Sequence, residues 1–355
     1  MKKNIIHVID DLGRGGAETM LVAVAKHLHS FNNIIITLYP RNEFSKVETG
    51  NTEIICLNMS SRLHIPFAMM RLKKILSEKK ADIVHSHLFW ATVLARLSVP
   101  KKIPLFTTIH AFVASSIEYQ PWRMRMIERW TYKIRHSQII AVAKGALDEY
   151  FNFIKVKPYN AVALYTFVDT SIFHEREKKS HSDGIFKLVT VGNLKPQKNH
   201  QFLLEAFKKL KQEKISLDIY GNGFLEAGMQ KTIAANSLPI LLKGQAKNIE
   251  QVLGHYDLFV MPSLYEGFAL SVLEAMATGV PLLLTDISSF KEQCENTAAY
   301  FTLNDLDDFV KKVIHLRNNK EQLNAFGSAA KKRVMENFTL QHHLNQLEII
   351  YAKEI

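Results

Sequence analysis

Short apolar runs of strand length recur along the whole chain, and stretches long enough for a helix separate them. Alternating strands and helices predict a parallel sheet that helices cover on both faces. The runs form two series, one in each half of the chain. They span residues 5–9, 34–38, 54–57, 83–84, 105–109 and 139–142, and then 187–191, 217–220, 240–242, 258–261 and 282–284. The pattern predicts an α/β protein with two Rossmann-like halves.

A polar and charged segment, residues 169–184, separates the two series and is typical of an exposed linker. We therefore predict an N-terminal domain over residues 1–165, a linker over 166–184 and a C-terminal domain over 185–337. Residues 338–355 have the pattern of a final amphipathic helix, with Thr339 as a candidate N-cap. A chain of 355 residues exceeds the usual size of a single core, which agrees with two domains.

The composition, 47% hydrophobic and 22% charged, is ordinary for a soluble globular protein. Cys56 and Cys294 are the only cysteines, so the sequence offers neither a disulfide framework nor a zinc cluster and favours a reducing compartment. The first apolar run is too short for a signal peptide, and no later run reaches the ~18 apolar residues of a spanning helix. We expect a cytoplasmic protein, with any membrane contact peripheral and on the inner face of the cytoplasmic membrane.

The positive charge is concentrated in the N-terminal half. Residues 1–165 contain 23 Lys and Arg against 12 Asp and Glu, which accounts for the whole net charge of +11. This asymmetry indicates an anionic partner, such as a phospholipid surface, a lipid pyrophosphate or nucleic acid. No zinc finger, RNA-recognition motif or single-strand platform accompanies the charge, so nucleic acid is not predicted. A solvated basic surface without a partner is the alternative.

Aromatic and basic side chains alternate with apolar ones over residues 118–135, and residues 62–80 are also basic and apolar. An interfacial helix would bury the tryptophans of the first segment while its arginines meet anionic headgroups. The candidate membrane or acceptor contacts are Trp122, Arg123, Arg125, Arg129 and Trp130. The alternative is that both segments are ordinary core helices with solvated basic faces.

Glu266 and Glu274 stand eight residues apart, where the apolar run 258–261 passes into a helix predicted to begin near Phe268. The unpaired N–H groups and the dipole of such a helix start suit a phosphate. The segment resembles the donor-binding signature of retaining glycosyltransferases of the family-4 type, in which two glutamates separated by seven residues follow a strand. Two ordinary surface acids on an amphipathic helix are the alternative.

The resemblance covers nearly the whole chain and implies the GT-B fold. In that fold, two Rossmann-like domains face each other across a central cleft, and the last helix crosses back to the first domain. The first domain would bind the acceptor and the second the nucleotide-sugar, at the carboxyl ends of the strands. The resemblance further implies that Glu274 binds the ribose and that Glu266 lies near hydroxyls of the transferred sugar. The backbone of Gly267, Phe268, Ala269 and Leu270 would hold the terminal phosphate.

A glycine-rich loop follows the first strand. Adjacent glycines let the backbone approach a ligand closely, and Glu18 stands where a nicotinamide fingerprint requires glycine. Gly15 and Gly16 instead resemble the family's loop against the donor diphosphate and the transferred sugar. His110, after the run 105–109, matches a histidine that family members direct at the donor sugar. A plain tight turn and a structural histidine are the respective alternatives.

The first strand of the C-terminal half leads into residues 191–200, which resemble the family's phosphate-binding turn. Many members have arginine where this chain has Asn193, followed by a lysine that Lys198 matches. Lys198 is therefore the implied cation for the departing diphosphate. Gly221 and Gly223 form a turn that family members pack against the nucleotide, and Lys243 begins a segment expected to contact the base. Both could equally be generic strand–helix connections.

Two patterns suggest a metal, and neither is sufficient. His85 and His87 alternate on a strand end, but no third ligand is recognisable in the sequence. Asp305, Asp307 and Asp308 resemble the aspartate motif of metal-dependent glycosyltransferases, yet they begin a predicted helix, so N-capping is the better interpretation. The prediction is that the protein needs neither a metal nor a cofactor.

The resemblance thus implies a metal-independent, retaining glycosyltransferase, with His110, Lys198 and Glu266 as its catalytic residues. The donor would be a UDP- or GDP-linked sugar and the acceptor a hydroxyl of a carbohydrate or lipid-linked glycan. Bacterial capsule, O-antigen or exopolysaccharide synthesis is the expected setting. Two alternatives stay open: a non-catalytic carbohydrate- or nucleotide-binding scaffold of the same fold, and a nucleotide-sugar epimerase. Asn193, and Thr166-Phe167 where relatives often have asparagine-glycine, allow the scaffold.

Overall fold

A computed structural model describes residues 2–110, 112–113, 119, 121–174, 184–245 and 248–354. The chain divides into two compact units, Met1–Thr166 with Leu340–Ile355, and Phe167–Thr339. Each unit is built on one parallel sheet, as the alternating pattern predicts. Residues 175–183 of the predicted linker lie outside the described residues.

The described strands of the N-terminal unit form a seven-stranded sheet of order β3-β2-β1-β4-β5-β6-β7. They are β1 (Asn4–Ile9), β2 (Asn32–Thr37), β3 (Glu53–Cys56), β4 (Ile83–His87), β5 (Leu105–Ile109), β6 (Gln138–Ala141) and β7 (Ala161–Ala163). Strands β4 and β5 are buried along their full length, because helices cover both faces of the sheet. The core therefore lies on both sides of this sheet.

The C-terminal unit has a six-stranded sheet in its described residues, of order β10-β9-β8-β11-β12-β13. Its strands are β8 (Phe186–Val191), β9 (Ile215–Tyr220), β10 (Ile240–Gly244), β11 (Leu258–Met261), β12 (Leu282–Thr285) and β13 (Ala299–Phe301). An aromatic cluster in the core joins Phe301 to Phe202 and Phe309, with ring centroids 5.4 and 4.9 Å apart. Such aromatic pairs fix the helices against the sheet.

Helices connect the strands in both units. They are α1 (Gly16–His27), α2 (Lys46–Thr49), α3 (Ile65–Glu78), α4 (Phe89–Ser98), α5 (Trp122–Ile134), α6 (Lys144–Ile154), α7 (His200–Leu210), α8 (Glu226–Asn236), α9 (Ile249–Val252), α10 (Leu270–Ala277), α11 (Ser288–Cys294), α12 (Leu306–Asn318), α13 (Lys320–Asn337) and α14 (Leu340–Ala352). Helix α14 belongs to the N-terminal unit although it ends the chain.

Each predicted strand is present, and the pattern missed only β7 and β13 among the described strands. Both have three residues and lie at the edge of their sheet, too short to give a periodic signal. Asp305 is the N-cap of α12 and accepts from the N–H group of Asp308, which confirms the capping interpretation. In the described part of the chain, no helix has both the length and the apolar character needed to cross a bilayer.

The order of strands reverses between β1 and β4 in one sheet and between β8 and β11 in the other. Parallel sheets bind ligands at the carboxyl ends of their strands, at such reversals. The loops after β1 and β8 carry Gly15, Gly16 and Lys198, and Glu266 follows β11. The topology therefore places these sequence-predicted residues at the carboxyl ends of strands, where parallel sheets bind ligands.

Candidate functional site

Lys198 and Glu266 form an ion pair in the C-terminal unit, with Nζ 2.7 Å from Oε1. Lys198 ends a 3-10 turn, Pro196–Lys198, after β8, and Glu266 lies in the loop between the neighbouring β11 and α10. Their side chains are 13% and 7% exposed, so water screens the charges weakly. Two residues that the sequence assigned to different parts of the donor are thus in direct contact.

Neighbouring polar groups hold the Glu266 carboxylate. Oε1 also accepts from the Ser263 hydroxyl at 2.7 Å, and Gln197 Nε2 lies 3.5 Å from Oε2. Gln197 further joins the two loops. Its side-chain amide donates to the backbone carbonyl of Tyr265, and its backbone carbonyl accepts from the N–H group of Leu264. Sequence reasoning missed Ser263 and Gln197, since nothing in their spacing indicates that these loops meet.

Glycines allow the backbone behind Lys198 to pack closely. A Cβ atom on Gly192 would lie 3.1 Å from Cε of Lys198. Gly221 has a φ of +145°, and a Cβ atom there would lie 2.0 Å from the carbonyl oxygen of Gly192. A Cβ atom on Gly223 would lie 2.3 Å from the carbonyl oxygen of Leu194. The two glycines of the predicted nucleotide turn therefore also hold the β9–α8 loop against the loop that carries Lys198.

Two other predicted donor contacts lie near these loops. Asn193 is exposed, one residue after Gly192. Nζ of Lys243 lies 3.7 Å from Oδ2 of Asp218. The same carboxylate oxygen accepts a hydrogen bond from the hydroxyl of Tyr256 at 2.6 Å. The charge of Lys243 is thus balanced within the protein, and its predicted contact with the base rests on the backbone.

Helix α10 begins at Leu270, two residues later than predicted, with Ala269 as its N-cap. The N–H group of Ala269 donates to Oε1 of Gln293 at 3.1 Å, and the Gln293 amide donates back to the Ala269 carbonyl at 2.9 Å. The N–H group of Ala269 is therefore occupied within the protein and Phe268 is buried, and phosphate binding by the backbone from Gly267 to Leu270 stays a prediction. The N–H groups of Leu270 and Ser271 precede the first intrahelical hydrogen bond and stay suited to an anion.

Glu274 lies on α10 and is half-buried. Burial raises the pKa of its carboxyl to about 7, the charge of Glu250 adds to the rise, and Lys198 opposes it. Lys198 therefore interacts with both glutamates of the signature, although the two stand eight residues apart.

The loop after β1 places Gly15 as the N-cap of α1 and Gly16 as its first residue. A Cβ atom on Gly15 would lie 2.3 Å from Oε2 of Glu18, whereas one on Gly16 would meet no described atom within 4 Å. Gly15 therefore makes room for the Glu18 carboxylate, and Gly16 leaves open space at the start of a 12-residue helix. A contact with the donor stays a prediction for both.

His110 follows β5 and is half-buried, with Nε2 3.1 Å from Nδ1 of His87. Burial lowers the pKa of His110 to about 3, so its ring is neutral at physiological pH. Sequence reasoning found no third histidine beside His85 and His87, and that was wrong. His7 pairs with His85 in the register of β1 and β4, and ring nitrogens of His7, His85 and His87 lie within 4.8 Å of one another. Only the strand register reveals this group.

Helix α5 packs on α4 through a polar face made of Glu128, Thr131 and Tyr132. Its aromatic stripe points away from the core, since Trp122 is 65% and Trp130 58% exposed. The alternative of an ordinary core helix is therefore wrong for this stripe. Exposed large apolar groups on one helix face are typical of an interaction surface.

The arginines of α5 flank that stripe. Arg123 and Arg125 are exposed and Arg129 is half-buried. The guanidinium of Arg123 lies 5.7 Å from the centre of the Trp122 ring, and that of Arg125 lies 5.5 Å from the Phe153 ring. These distances allow cation–π attraction and leave the N–H groups available to water or to an anion.

Two family models match the chain in succession, Glycosyltransferase Family 4 over residues 14–172 and Glycosyl transferases group 1 over residues 171–333. The UDP-Gal:alpha-D-GlcNAc-diphosphoundecaprenol alpha-1,3-galactosyltransferase of Escherichia coli is 25% identical over 305 residues, which cover 80% of this chain and 78% of that protein. The O-antigen biosynthesis glycosyltransferase WclY of Escherichia coli is 21% identical over 340 residues, 90% of each chain.

Solved structures agree over the whole chain. The crystal structure of Anabaena HepE in complex with UDP has a TM-score of 0.85 at 15% identity and covers 99% of this chain and 100% of its own. A glycosyltransferase from Rickettsia africae has a TM-score of 0.83 at 18% identity and covers 100% and 99%. The two family models, the relatives and the shared fold agree, and the chain therefore belongs to the glycosyltransferases of the family-4 type with the GT-B fold.

Proposed function

We propose that this glycosyltransferase moves a sugar from a nucleoside diphosphate to an acceptor hydroxyl with retention of the anomeric configuration and without a metal ion. The observation that carries the proposal is the Lys198–Glu266 ion pair at the strand reversal of the C-terminal sheet. It places a cation and a hydroxyl-binding carboxylate side by side, which is what the diphosphate and the sugar of one donor require.

Lys198 stabilises the departing diphosphate. Negative charge grows on the leaving oxygen as the glycosidic bond breaks, so a fixed cation favours the transition state more than the ground state. The N–H groups of Leu270 and Ser271 add partial positive charge at the start of α10. Lys198 thereby supplies charge that a metal ion supplies in other glycosyltransferases.

Glu266 orients the transferred sugar. Its Oε1 accepts from Lys198 and Ser263 at 2.7 Å each, while among the described residues its Oε2 has only the longer contact of 3.5 Å to Gln197. Oε2 is therefore the oxygen that accepts from a sugar hydroxyl. Glu274 binds the ribose hydroxyls in its charged form, eight residues along the chain.

Retention needs no protein nucleophile in this proposal. The bond between the anomeric carbon and the phosphate oxygen breaks, and the acceptor oxygen bonds to the same face of the sugar. The acceptor proton moves to an oxygen of the leaving phosphate, which is stabilised by Lys198. His110, Gly15 and Gly16 of the N-terminal unit contact the sugar, and the N-terminal unit binds the acceptor.

A lipid-linked acceptor at an anionic membrane fits the surface of the N-terminal unit. Helices α3 and α5 both pack on α4, and each presents exposed apolar groups. Phe67 and Met70 on α3 are 67% and 71% exposed, comparable with Trp122 and Trp130 on α5. An exposed apolar surface with arginines at its border binds anionic headgroups and inserts shallowly. The name of the Escherichia coli galactosyltransferase includes a diphosphoundecaprenol acceptor, which supports this choice.

The test is a panel of UDP- and GDP-sugars incubated with polyprenyl-diphosphate-linked acceptors in the presence of a chelator. The expected result is one glycosylated product whose anomeric coupling in NMR matches that of the donor. Inversion at the anomeric carbon, or loss of activity on chelation, would contradict the proposal. Nucleotide binding without transfer would favour a scaffold, and an isomerised donor without acceptor would identify an epimerase.

A further inference from the structure

Four polar side chains form a hydrogen-bonded row inside the N-terminal unit. Asn33 Oδ1 lies 3.2 Å from His7 Nε2, His7 Nδ1 lies 3.5 Å from His87 Nε2, and His87 Nδ1 lies 3.1 Å from His110 Nε2. The row begins on β2, passes through β1 and β4, and ends after β5 at the candidate sugar contact. The contact between His7 and His87 is buried, and the contacts with Asn33 and with His110 are partly buried.

The amide of Asn33 gives the row a direction. Its Nδ2 donates to the carbonyls of Leu28 and Phe31, at 2.9 and 3.5 Å. Two carbonyls can only accept, so they fix the NH₂ group on their side and leave Oδ1 facing His7. Oδ1 is an acceptor, and His7 must therefore carry its proton on Nε2 and present a lone pair at Nδ1.

The proton position on each ring fixes the proton position on the next ring, because the rings are neutral. Burial lowers the pKa of His7 to about 4 and that of His110 to about 3, and it holds the pKa of His87 well below its usual value. A neutral imidazole has one donor and one acceptor. His87 consequently donates from Nε2 to His7 and accepts at Nδ1 from Nε2 of His110. The proton of His110 is then on Nε2, and its lone pair is on Nδ1.

We propose that Asn33, His7 and His87 are positioning residues that lock His110 in the Nε2–H tautomer, so that Nδ1 accepts a hydrogen bond from a hydroxyl of the transferred sugar. No described residue forms a hydrogen bond with Nδ1 of His110. The inference rests on the proposed sugar contact for its function, but the tautomer itself does not depend on catalysis. It also sets specificity, because an acceptor at this point selects a sugar hydroxyl and rejects a deoxy sugar or a carbonyl group.

The first experiment reads the tautomer directly. The full chain is labelled with ¹⁵N-histidine, and two-bond ¹H–¹⁵N correlations distinguish protonated from unprotonated ring nitrogens. The His110 signals are assigned by their loss in His110→Phe. We expect Nε2–H alone for His7, His87 and His110. A wild-type His110 protonated on Nδ1 would overturn the proposal, and so would stoichiometric zinc bound to His7 and His87, because zinc would occupy the lone pairs of the row.

The second experiment substitutes Asn33, the side chain that sets the direction of the hydrogen bonds in the row. Asn33→Asp and Asn33→Leu both lose the donations to the carbonyls of Leu28 and Phe31, but only the aspartate keeps an acceptor for His7. We expect a single His110 tautomer in Asn33→Asp and a mixture in Asn33→Leu. Asn32→Leu is the control, since Asn32 is exposed and bonds to Asn4 and Lys2 instead. An unchanged His110 tautomer in folded Asn33→Leu would show that Asn33 has only a structural role.

Kinetics then separate this inference from the proposed function. We expect kcat of Asn33→Leu to fall about three- to tenfold, the effect of one neutral hydrogen bond, with little change in KM for the acceptor. Asn33→Asp should lose less than Asn33→Leu. If the tautomer shifts as expected and kcat does not change, the lock exists but His110 does not contact the reacting sugar. If Asn33→Leu does not fold, the wild-type spectrum and the comparison of Asn33→Asp with Asn32→Leu still decide the direction of the row.

Discussion

Lys198 Nζ lies 2.7 Å from Oε1 of Glu266, and this ion pair joins the loops that follow β8 and β11. The two strands are neighbours in the sheet although almost seventy residues separate them along the chain. A cation in this position contacts the Glu266 carboxylate and opposes the rise in the pKa of Glu274. Substitution of Lys198 should consequently affect both transfer and the charge state of the helix acid.

Lys198→Ala should lower kcat by about 10²- to 10³-fold, because one preorganised group that stabilises leaving-group charge is removed. Lys198→Arg should retain part of the rate, since it keeps the charge. Steady-state kinetics with the identified donor give the measurement. Lys208→Ala is the control, because Lys208 is a half-exposed lysine paired with Glu205 on α7. Equal loss in Lys198→Ala and Lys208→Ala would contradict the role.

Glu274 should make donor binding depend on pH. Its folded-state pKa of about 7 lies above the usual 4.5. The neutral carboxyl therefore makes its full contribution to folding stability below pH 4.5, and this contribution is lost as the pH rises through about 7. The proposed contact with the ribose requires the charged form, so donor affinity should fall up to tenfold from pH 8 to pH 6. Calorimetry with nucleoside diphosphate at several pH values measures this.

Glu274→Gln provides the matched control for that pH dependence. It should bind the nucleotide weakly at every pH and should be about 1 to 2 kcal/mol more stable than the wild type at pH 8, because a half-buried charge is removed. Thermal unfolding at pH 5 and pH 8 gives the comparison. A wild-type affinity that does not change between pH 6 and pH 8 would remove Glu274 from the nucleotide site.

Gly16→Ala separates ligand contact from folding. A Cβ atom there meets no described atom within 4 Å, and alanine favours a helix by roughly 0.5 to 1 kcal/mol over glycine, so stability should not fall. Donor affinity or kcat should nevertheless fall if the backbone approaches the donor closely. Gly221→Ala should instead destabilise the protein by about 2 kcal/mol or more, because its φ is +145° and its Cβ would lie 2.0 Å from a carbonyl oxygen. A Gly16→Ala variant with unchanged kinetics would exclude the predicted contact.

The exposed apolar surface of helices α3 and α5, which includes Phe67, Met70, Trp122 and Trp130, should bind vesicles that contain anionic lipid. Arg123→Gln, Arg125→Gln and Arg129→Gln combined should weaken binding by roughly 100- to 200-fold, at about 1 kcal/mol for each charge. Sedimentation with anionic and zwitterionic vesicles measures the difference. Phe224→Ser, which removes an exposed aromatic residue of the C-terminal unit, should have no effect. Unchanged sedimentation of the triple variant would remove α5 from the membrane contact.

The buried pair of Arg96 and Glu128 should stabilise the N-terminal unit. Arg96 Nη1 lies 2.7 Å from Oε1 of Glu128 with both side chains fully buried, and the Tyr150 hydroxyl lies 3.1 Å from Arg96 Nη2. Glu128→Ala leaves an unpaired guanidinium in the core and should cost about 3 to 5 kcal/mol of unfolding free energy. Tyr150→Phe removes only hydroxyl contacts and should cost less. Chemical denaturation of the three proteins tests this order.

The sequence by itself determined the class of fold and the placement of the loops that carry chemistry. Strand runs with helical spacers are local signals, and each predicted run, of two to five residues, coincides with a strand of the parallel sheets. The signature around Glu266 and Glu274 and the loop of Gly15 and Gly16 are also local, so the family could be identified from them. The same was true of the helix cap at Asp305.

Only the tertiary structure decided which of those groups touch. Three contacts join residues from different strands, loops and helices. They are the ion pair of Lys198 with Glu266, the hydrogen bond from the Ala269 N–H group to Gln293, and the contact between His7 and His87. Such contacts depend on which distant strands lie side by side in the sheet, and a local sequence pattern does not specify this. The outward direction of Trp122 and Trp130 was undecided for the same reason, because a helix face is exposed or buried according to what packs against it.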